Sequence, residues 1–360
     1  MDIIDFFNHD DLEVPYHWND GDIDFTKLIE EKFNLYQSYI DGLDPCVLSN
    51  LVKSKKTAIN GICNSLKSVV EQYLKGNLSE AYKIFTKMMQ KNSVFLHALN
   101  SNDIAKYDQW YFRIRESEFP IHGIKENFHI ESSKRHLVSS QRYSIPGLPC
   151  LYLGGSAYIC WEELNKPSFD RCYISRYKVR DDQTLRVLNF GYRTATIAII
   201  IDNIKKKPVP PRFIEAYAVL WPIIFACSVK KKYPTGKFHY EYIVPQMLMQ
   251  WIATQKKFDG VRFFTTRIVE YPNAIKVNSN FAFPIRELDE DGYCRKLKDL
   301  FELTEPINMQ YLLYSGVKPK QTSPNATESI QLTSKIEVIY GHTAFCDIEN
   351  KLSVLDFEQI

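Results

Sequence analysis

The sequence predicts an α+β protein in which an α-helical N-terminal region precedes a mixed β core, and two observations support this. Residues 1 to about 105 carry apolar side chains at helical spacing, with no proline after Pro45. From about residue 107 onward, short β-branched and aromatic runs are broken by proline and glycine and alternate with helix-length segments. Because this alternation is irregular, it favours α+β over a repeated βαβ unit.

The N-terminal region shows its helical pattern most clearly in one stretch. The three-four spacing that places side chains on one helix face is followed by Ile59, Ile62, Leu66, Val69 and Tyr73. Gly76 comes directly after this stretch, where a helix commonly ends in a left-handed residue. We therefore expect a helix that ends at Gly76 and buries this apolar face.

Strands and helices of the second region are predicted from apolar runs and from their lengths. Predicted strands cover 110–114, 150–153, 171–175, 194–201, 261–264 and 336–340, and predicted helices cover 157–164, 212–228 and 240–254. Residues 318–334 are rich in Pro, Ser, Thr, Asn and Gln, which predicts a surface loop. The resulting domain prediction is 1–105, 106–290 and a C-terminal extension, 291–360, with that loop and terminal strands.

Composition excludes several classes of protein. The 360 residues have a net charge of +2, which lacks the basic footprint of a nucleic-acid binder. The eight cysteines show no C-x-x-C spacing and no zinc pattern, which favours reduced, buried thiols. The acidic N-terminus lacks the pattern of a signal peptide, and the apolar stretches are too short or too interrupted to span a bilayer. We expect a soluble cytoplasmic protein without metal.

The run from Arg142 to Ser156 combines features suited to an anion and a ring. Pro146-Gly147 favours a turn between Arg142 and a strand that bears Tyr152. Gly154-Gly155 permits close backbone approach, and amides at the start of the following helix favour anions. Taken singly, each residue also has a structural interpretation: Arg142 as the support of a turn, and Tyr152 as a core side chain.

Two adjacent carboxylates, Glu162 and Glu163, end the predicted helix 157–164. The preceding residues are mostly apolar or small, so at least one carboxylate is expected to point inward. A carboxylate beside a ribose can hydrogen-bond its hydroxyls and stabilise an oxocarbenium-like centre while a glycosidic bond breaks. Solvent exposure of both glutamates is the alternative.

Taken together, these motifs resemble the RES domain family, which is named for its Arg, Glu and Ser residues. The resemblance spans about 107–290, and it rests on the order of Arg113, Arg142 with Pro146-Gly147, Tyr152, Glu163, Glu241 with Pro245-Gln246, Asp259-Gly260 and Thr265. The segment from Arg142 to Glu163 is the most specific part. The family has serine where this chain has Thr265, which keeps the hydroxyl but adds a methyl group. This chain also has about 105 further residues before the segment that resembles the family and about 70 after it.

The resemblance implies a split, mixed β core similar to the ADP-ribosyltransferase fold, with a cleft for NAD. Characterised members are bacterial toxins that deplete NAD by hydrolysis or phosphorolysis and are held inactive by an antitoxin. It implies that Glu163, Tyr152 and Thr265 are catalytic, with Glu162 as the alternative glutamate. The residues expected to contact NAD are Arg113, Arg142, Tyr152, Gly154, Ser156 and Thr265.

Other functions stay open on the sequence alone. The threonine and the long flanking segments also fit a catalytically weak NAD or nucleotide sensor, and protein ADP-ribosylation is a third possibility. The acceptor of the ribosyl group is water, phosphate or a protein side chain. The N-terminal helices are compatible with binding an inhibitor protein or with self-association into a homo-oligomer.

Overall fold

The computed structural model of the chain describes residues 1–18, 24–99, 109–203, 210–267, 274–333 and 336–360. Its α-helices are α1 Ile3–Phe7, α2 Phe25–Asp41, α3 Val47–Lys53, α4 Lys56–Leu74, α5 Leu78–Lys91, α6 Ser93–Ala98, α7 Ala157–Glu163, α8 Thr194–Asp202, α9 Pro211–Ser228, α10 Ile243–Thr254, α11 Arg295–Leu300, α12 Met309–Tyr314 and α13 Ala344–Leu352. Its strands are β1 Tyr111–Glu116, β2 Cys150–Gly154, β3 Cys172–Val179, β4 Val187–Phe190, β5 Gly260–Phe264, β6 Ser279–Pro284, β7 Phe301–Leu303, β8 Ile307–Asn308, β9 Ser329–Thr333 and β10 Ile336–Ile339. N-terminal helices followed by a mixed sheet confirm the predicted α+β class.

The described residues group into two compact units. The first contains 1–100 with 188–251, and the second contains 101–187 with 252–360. The predicted boundary between 105 and 106 lies outside the described residues. The predicted range 106–290 is divided between the two units, because its segment 188–251 groups with the N-terminal helices.

Helix α9 explains why that segment belongs to the first unit. Every residue from Ile214 to Ser228 is buried, so this helix needs cover on all sides. Helices α3, α4 and α6 contact it. Tyr36 of α2 stacks on Trp221 with ring centroids 4.1 Å apart, and its hydroxyl donates to the carbonyl of Ala218 at 2.7 Å. The N-terminal helices therefore bury a hydrophobic helix that arrives from the middle of the chain.

The second unit is built on an antiparallel part of the sheet. Its strand order is β5-β6-β2-β1-β3-β7, and β8 also pairs with β3. Strand β2 lies between β1 and β6, with Tyr152 of β2 opposite Ala282 of β6. On the other side of β1, Arg113 lies opposite Ser175 of β3. Helix α13 contacts α7, α12 and β3, and Ile348 and Leu352 lie in the core beside Tyr158. This packing holds α7 at the sheet.

Two predicted elements differ from the structure. Residues 194–201, predicted as a strand, form helix α8, in which Thr194, Ile197, Ala198 and Ile201 are buried at helical spacing. A short apolar run does not separate a strand from a buried helix, because its side chains fit either element. Strand β9 lies within the predicted loop 318–334 and pairs with β10, which matches the predicted strand 336–340. Helix α13 was not predicted.

No helix in the described ranges combines the length and apolar character that crossing a membrane requires.

Candidate functional site

The side chain of Glu163, the last residue of α7, gathers three polar side chains around its carboxylate. Its Oε1 accepts hydrogen bonds from Thr265 Oγ1 and from Asn280 Nδ2, each at 2.8 Å. Its Oε2 lies 2.9 Å from Nε of Arg267. These four residues are called the Glu163 cluster below. Two of them, Glu163 and Thr265, are residues that the sequence analysis predicts to be catalytic.

The pairing of β5 with β6 explains how two of these side chains come together. The strands are antiparallel with Phe263 opposite Asn280. Thr265 directly follows β5, and its N–H donates to the carbonyl of Asn278 just before β6 at 3.3 Å. Thr265 and Asn280 therefore lie near the same end of two adjacent strands, and α7 brings Glu163 to that end.

Thr265 is fully buried, and its hydroxyl is used within the cluster. Besides donating to Glu163, the oxygen accepts the backbone N–H of Arg267 at 3.1 Å. The hydroxyl thus fixes both the carboxylate and the turn after β5. Thr265 is therefore a positioning residue for Glu163, and any direct contact of Thr265 with a substrate stays a prediction.

The turn after α7 supplies a further contact to the cluster. Asn165 and Lys166 have φ values of 64° and 60°, in the left-handed region that side chains other than glycine seldom adopt. The side-chain oxygen of Asn165 accepts a hydrogen bond from Nη1 of Arg267. The guanidinium of Arg267 is consequently held by Glu163 and by Asn165 together.

The structure separates the two adjacent glutamates that the sequence left as alternatives. Glu162 is 6% exposed, and its Oε1 lies 3.1 Å from Nζ of Lys166. Glu163 instead contacts Thr265 and Asn280. Glu163 is therefore the glutamate that joins the cluster, and Glu162 belongs to a separate ion pair.

Of the predicted arginines and tyrosine, Arg113 and Tyr152 lie on adjacent strands, and Arg142 lies in the segment before β2. Arg113 on β1 donates through Nη1 to the carbonyl of Tyr152 on β2 at 2.9 Å, and burial lowers the pKa of Arg113. The hydroxyl of Tyr152 lies 2.7 Å from Oγ of Ser144. Arg142 donates through Nη2 to Oγ1 of Thr266 at 3.3 Å, which places Arg142 beside the turn after β5. Their contact with NAD stays a prediction.

Gly154 and Ser156 have packing and capping contacts at the junction of β2 and α7. A Cβ on Gly154 would come within 2.5 Å of Sγ of Cys160. Ser156 is fully buried, and its hydroxyl accepts the N–H of Ile159 at 3.0 Å and donates to the carbonyl of Val277 at 2.8 Å. Packing and capping alone therefore account for a glycine at 154 and a serine at 156, and no ligand is needed to explain them.

The start of α7, which was expected to favour an anionic ligand, binds an internal carboxylate instead. The N–H of Ala157 donates to Oε1 of Glu349 at 2.7 Å, and the hydroxyl of Tyr340 donates to the same atom at 2.6 Å. Ser323 donates to Oε2 of Glu349 at 2.6 Å, and Asn325 does so at 3.4 Å. Burial raises the pKa of Glu349 to about 7 against the opposing effect of these hydrogen bonds. These contacts are called the Glu349 network below.

Sequence reasoning missed Arg267 and Asn280 as site residues, and it missed Glu349 entirely. Asn280 begins an otherwise apolar run, which is a usable signal for a polar side chain with a specific partner. Glu349 lies at helical spacing with Phe345, Ile348 and Leu352, and so on the buried face of α13. A charged residue on such a face indicates a hydrogen-bonded internal site.

A metal site would need several His, Cys, Asp or Glu side chains close together. In the part of the chain that the structure describes, no group of three or more His, Cys, Asp or Glu side chains is arranged to hold a metal ion.

Comparison with known proteins gives one similarity of wide coverage. The chain is 29% identical over 329 residues to a protein of Bacillus subtilis (strain 168) named "Putative toxin YopC", and the match covers 85% of this chain and 71% of that protein. No family model matches the chain, and no solved structure matches it. The resemblance to the RES family therefore stays a prediction. The chain is similar, over most of its length, to a protein with a toxin name.

Proposed function

We propose that the chain cleaves the bond between nicotinamide and ribose in NAD, as the resemblance to RES domains implies. The observation that carries the proposal is the carboxylate of Glu163, which Thr265 and Asn280 fix through one oxygen while its side chain keeps 34% of its surface exposed. A carboxylate that is held in one position can stabilise a ribosyl cation, and its exposed surface leaves room for a substrate to reach it.

The chemistry balances without any further reactant when water is the acceptor. The nicotinamide leaves with the bonding electron pair as a neutral molecule, and the ribose C1 becomes oxocarbenium-like. Glu163 stabilises this positive charge. Water then adds to C1 and loses a proton, which yields ADP-ribose. Phosphate or a protein side chain can replace water in the last step.

Arg113, Arg142 and Tyr152 would bind the remainder of the dinucleotide. Guanidinium groups bind pyrophosphate through paired N–H donors that lysine cannot reproduce. Arg113 is desolvated, and among the described residues its buried Nε has no hydrogen-bond partner. A desolvated cation of this kind gains most from an anionic ligand.

The similarity to a protein named as a toxin supports the same proposal. Loss of NAD would arrest a cell, so an enzyme that consumes it would need an inhibitor in its own host. We include an antitoxin-like partner in the proposal for that reason.

The direct test is incubation of the purified chain with NAD and measurement of free nicotinamide by chromatography. Release of nicotinamide with stoichiometric ADP-ribose supports hydrolysis, and ADP-ribose 1-phosphate formed in phosphate buffer supports phosphorolysis. Label transferred from NAD to protein supports ADP-ribosylation. Thermal stabilisation by NAD without product would support a sensor and contradict the enzyme proposal.

The Thr265→Val variant should lower the rate of nicotinamide release by about 10- to 100-fold, because loss of a single orienting contact displaces the carboxylate. The side chain stays nearly isosteric but no longer donates to Glu163 or accepts from Arg267. Thr265→Ser keeps the hydroxyl, and its rate should stay within about three-fold of wild type on the same argument. Equal rates in the Val and Ser variants, both verified as folded by circular dichroism, would remove Thr265 from the mechanism.

A further inference from the structure

We propose that Arg267 competes with the positively charged ring of the substrate for Oε2 of Glu163, and so acts as an autoinhibitory latch on that carboxylate. The proposal rests on the proposed function and adds a role for a residue outside the predicted site. It also specifies the ligand class at Glu163, which is a sugar joined to a cationic nitrogen ring.

The two oxygens of Glu163 have different kinds of partner. Oε1 accepts from the neutral donors Thr265 and Asn280, each at 2.8 Å. Oε2 faces the cationic Nε of Arg267 at 2.9 Å. Since the neutral donors already fix the carboxylate on one side, Glu163 stays in place when Arg267 leaves Oε2.

Burial shows which side of Glu163 solvent can reach. Thr265 is fully buried and Asn280 is 6% exposed. The side chains of Arg267 and Glu163 are 38% and 34% exposed. A ligand that approaches from solvent therefore meets the Arg267 side of the carboxylate, and its ring must take the place of the guanidinium to contact Oε2.

The turn after α7 holds the latch closed. Asn165, with φ of 64°, turns its side-chain oxygen to Nη1 of Arg267. A left-handed asparagine followed by a left-handed lysine is uncommon, and such backbones persist where their surroundings impose them. The contact between Asn165 and Arg267 keeps the guanidinium at Glu163 until a stronger competitor arrives.

The charge of the ring determines whether Arg267 affects the affinity of a ligand for the site. The oxidised nicotinamide ring of NAD is cationic, whereas the reduced ring of NADH is neutral, and the rest of the two molecules is the same. Arg267 repels the cationic ring and neutralises the carboxylate that would attract it. Loss of the guanidinium should therefore favour the oxidised form over the reduced form, whatever its effect on pyrophosphate binding.

The experiment measures dissociation constants by calorimetry for NADH and for an NAD analogue whose ribose oxygen is replaced by carbon, so that the cationic ring cannot be cleaved off. The variants are Arg267→Gln, Arg267→Lys and Lys166→Gln. Lys166→Gln is the matched control, because it removes the same charge at the same end of α7 from a lysine that pairs with Glu162 at 3.1 Å.

In Arg267→Gln, we expect the affinity for the cationic analogue to rise about three- to ten-fold relative to that for NADH, since the pair is half-exposed and screened. Arg267→Lys and Lys166→Gln should keep the wild-type ratio, and added salt should reduce the difference. An unchanged or lower ratio in Arg267→Gln would overturn the latch. If wild type binds neither dinucleotide and releases no nicotinamide, the proposed function itself fails and the latch fails with it.

Discussion

Glu163→Gln is expected to lower the rate of nicotinamide release by about 100- to 1000-fold, the usual loss when a charge that stabilises the transition state is removed. Glutamine keeps the size of the side chain, and its carbonyl oxygen can still accept from Thr265 or Asn280. What it loses is the negative charge beside the developing ribosyl cation. The effect should therefore appear mainly in kcat, with a smaller loss of affinity for the cationic ring of NAD.

Glu162→Gln is the matched control for this prediction. The same substitution one residue earlier removes a carboxylate that pairs with Lys166 and stays outside the Glu163 cluster. Its rate of nicotinamide release should stay within about three-fold of wild type, because no reacting group depends on it. Full activity in Glu163→Gln together with a large loss in Glu162→Gln would show that Glu162, and not Glu163, is the catalytic glutamate. Full activity in both variants would contradict the carboxylate mechanism.

Features of the site that depend on residues close together in the sequence could be predicted, and contacts between residues far apart in the sequence could not. Helix α7, strand β2 and the inward position of at least one of the two adjacent glutamates follow from local patterns. All three are present in the structure, where Glu162 is 6% exposed. The contacts of Glu163 with Thr265 and Asn280 join residues more than a hundred positions apart. Only the resemblance to a family brought Glu163 and Thr265 together, and it gave no role to Arg267.

The contacts that the sequence did not reveal depend on non-local packing. Helix α8 was predicted as a strand because its isoleucines fit either element, and burial on one face decided between them. The segment 188–251 groups with the N-terminal helices because α9 is apolar all round and needs neighbours that the intervening sequence does not supply. No local pattern states which distant segment provides that cover.

Glu349→Ala should lower the free energy of unfolding by about 3–5 kcal/mol, because it removes the acceptor of several buried donors and leaves them without partners. The N–H of Ala157 and the hydroxyls of Tyr340 and Ser323 would each lose a hydrogen bond of 2.6–2.7 Å. Glu349→Gln fills the same space without a charge, so comparison of the two variants separates lost packing and hydrogen bonds from lost ionisation. Urea denaturation followed by circular dichroism measures both.

The Glu349 network also predicts how stability depends on pH. Burial raises the pKa of Glu349 from 4.5 to about 7, so the native state holds this proton more tightly than the unfolded state. Its contribution to stability is fully present below pH 4.5 and is lost as the pH rises towards about 7, with a total of about 3 kcal/mol. Wild type should accordingly lose stability between about pH 5 and about pH 8, and Glu349→Gln should lack this component.

The difference between wild type and Glu349→Gln is the quantity to measure, because other buried groups titrate in the same range. Burial lowers the pKa of His129 to about 4, so its contribution falls as the pH drops from 6.5, opposite to that of Glu349. This contribution is the same in both proteins and cancels in the difference. Glu337→Gln, at an exposed position on β10, is the control for loss of a surface carboxylate. A pH dependence in Glu349→Gln identical to that of wild type would mean that Glu349 keeps one protonation state throughout, and the internal carboxylate at the start of α7 would then act as a fixed cap rather than a titrating one.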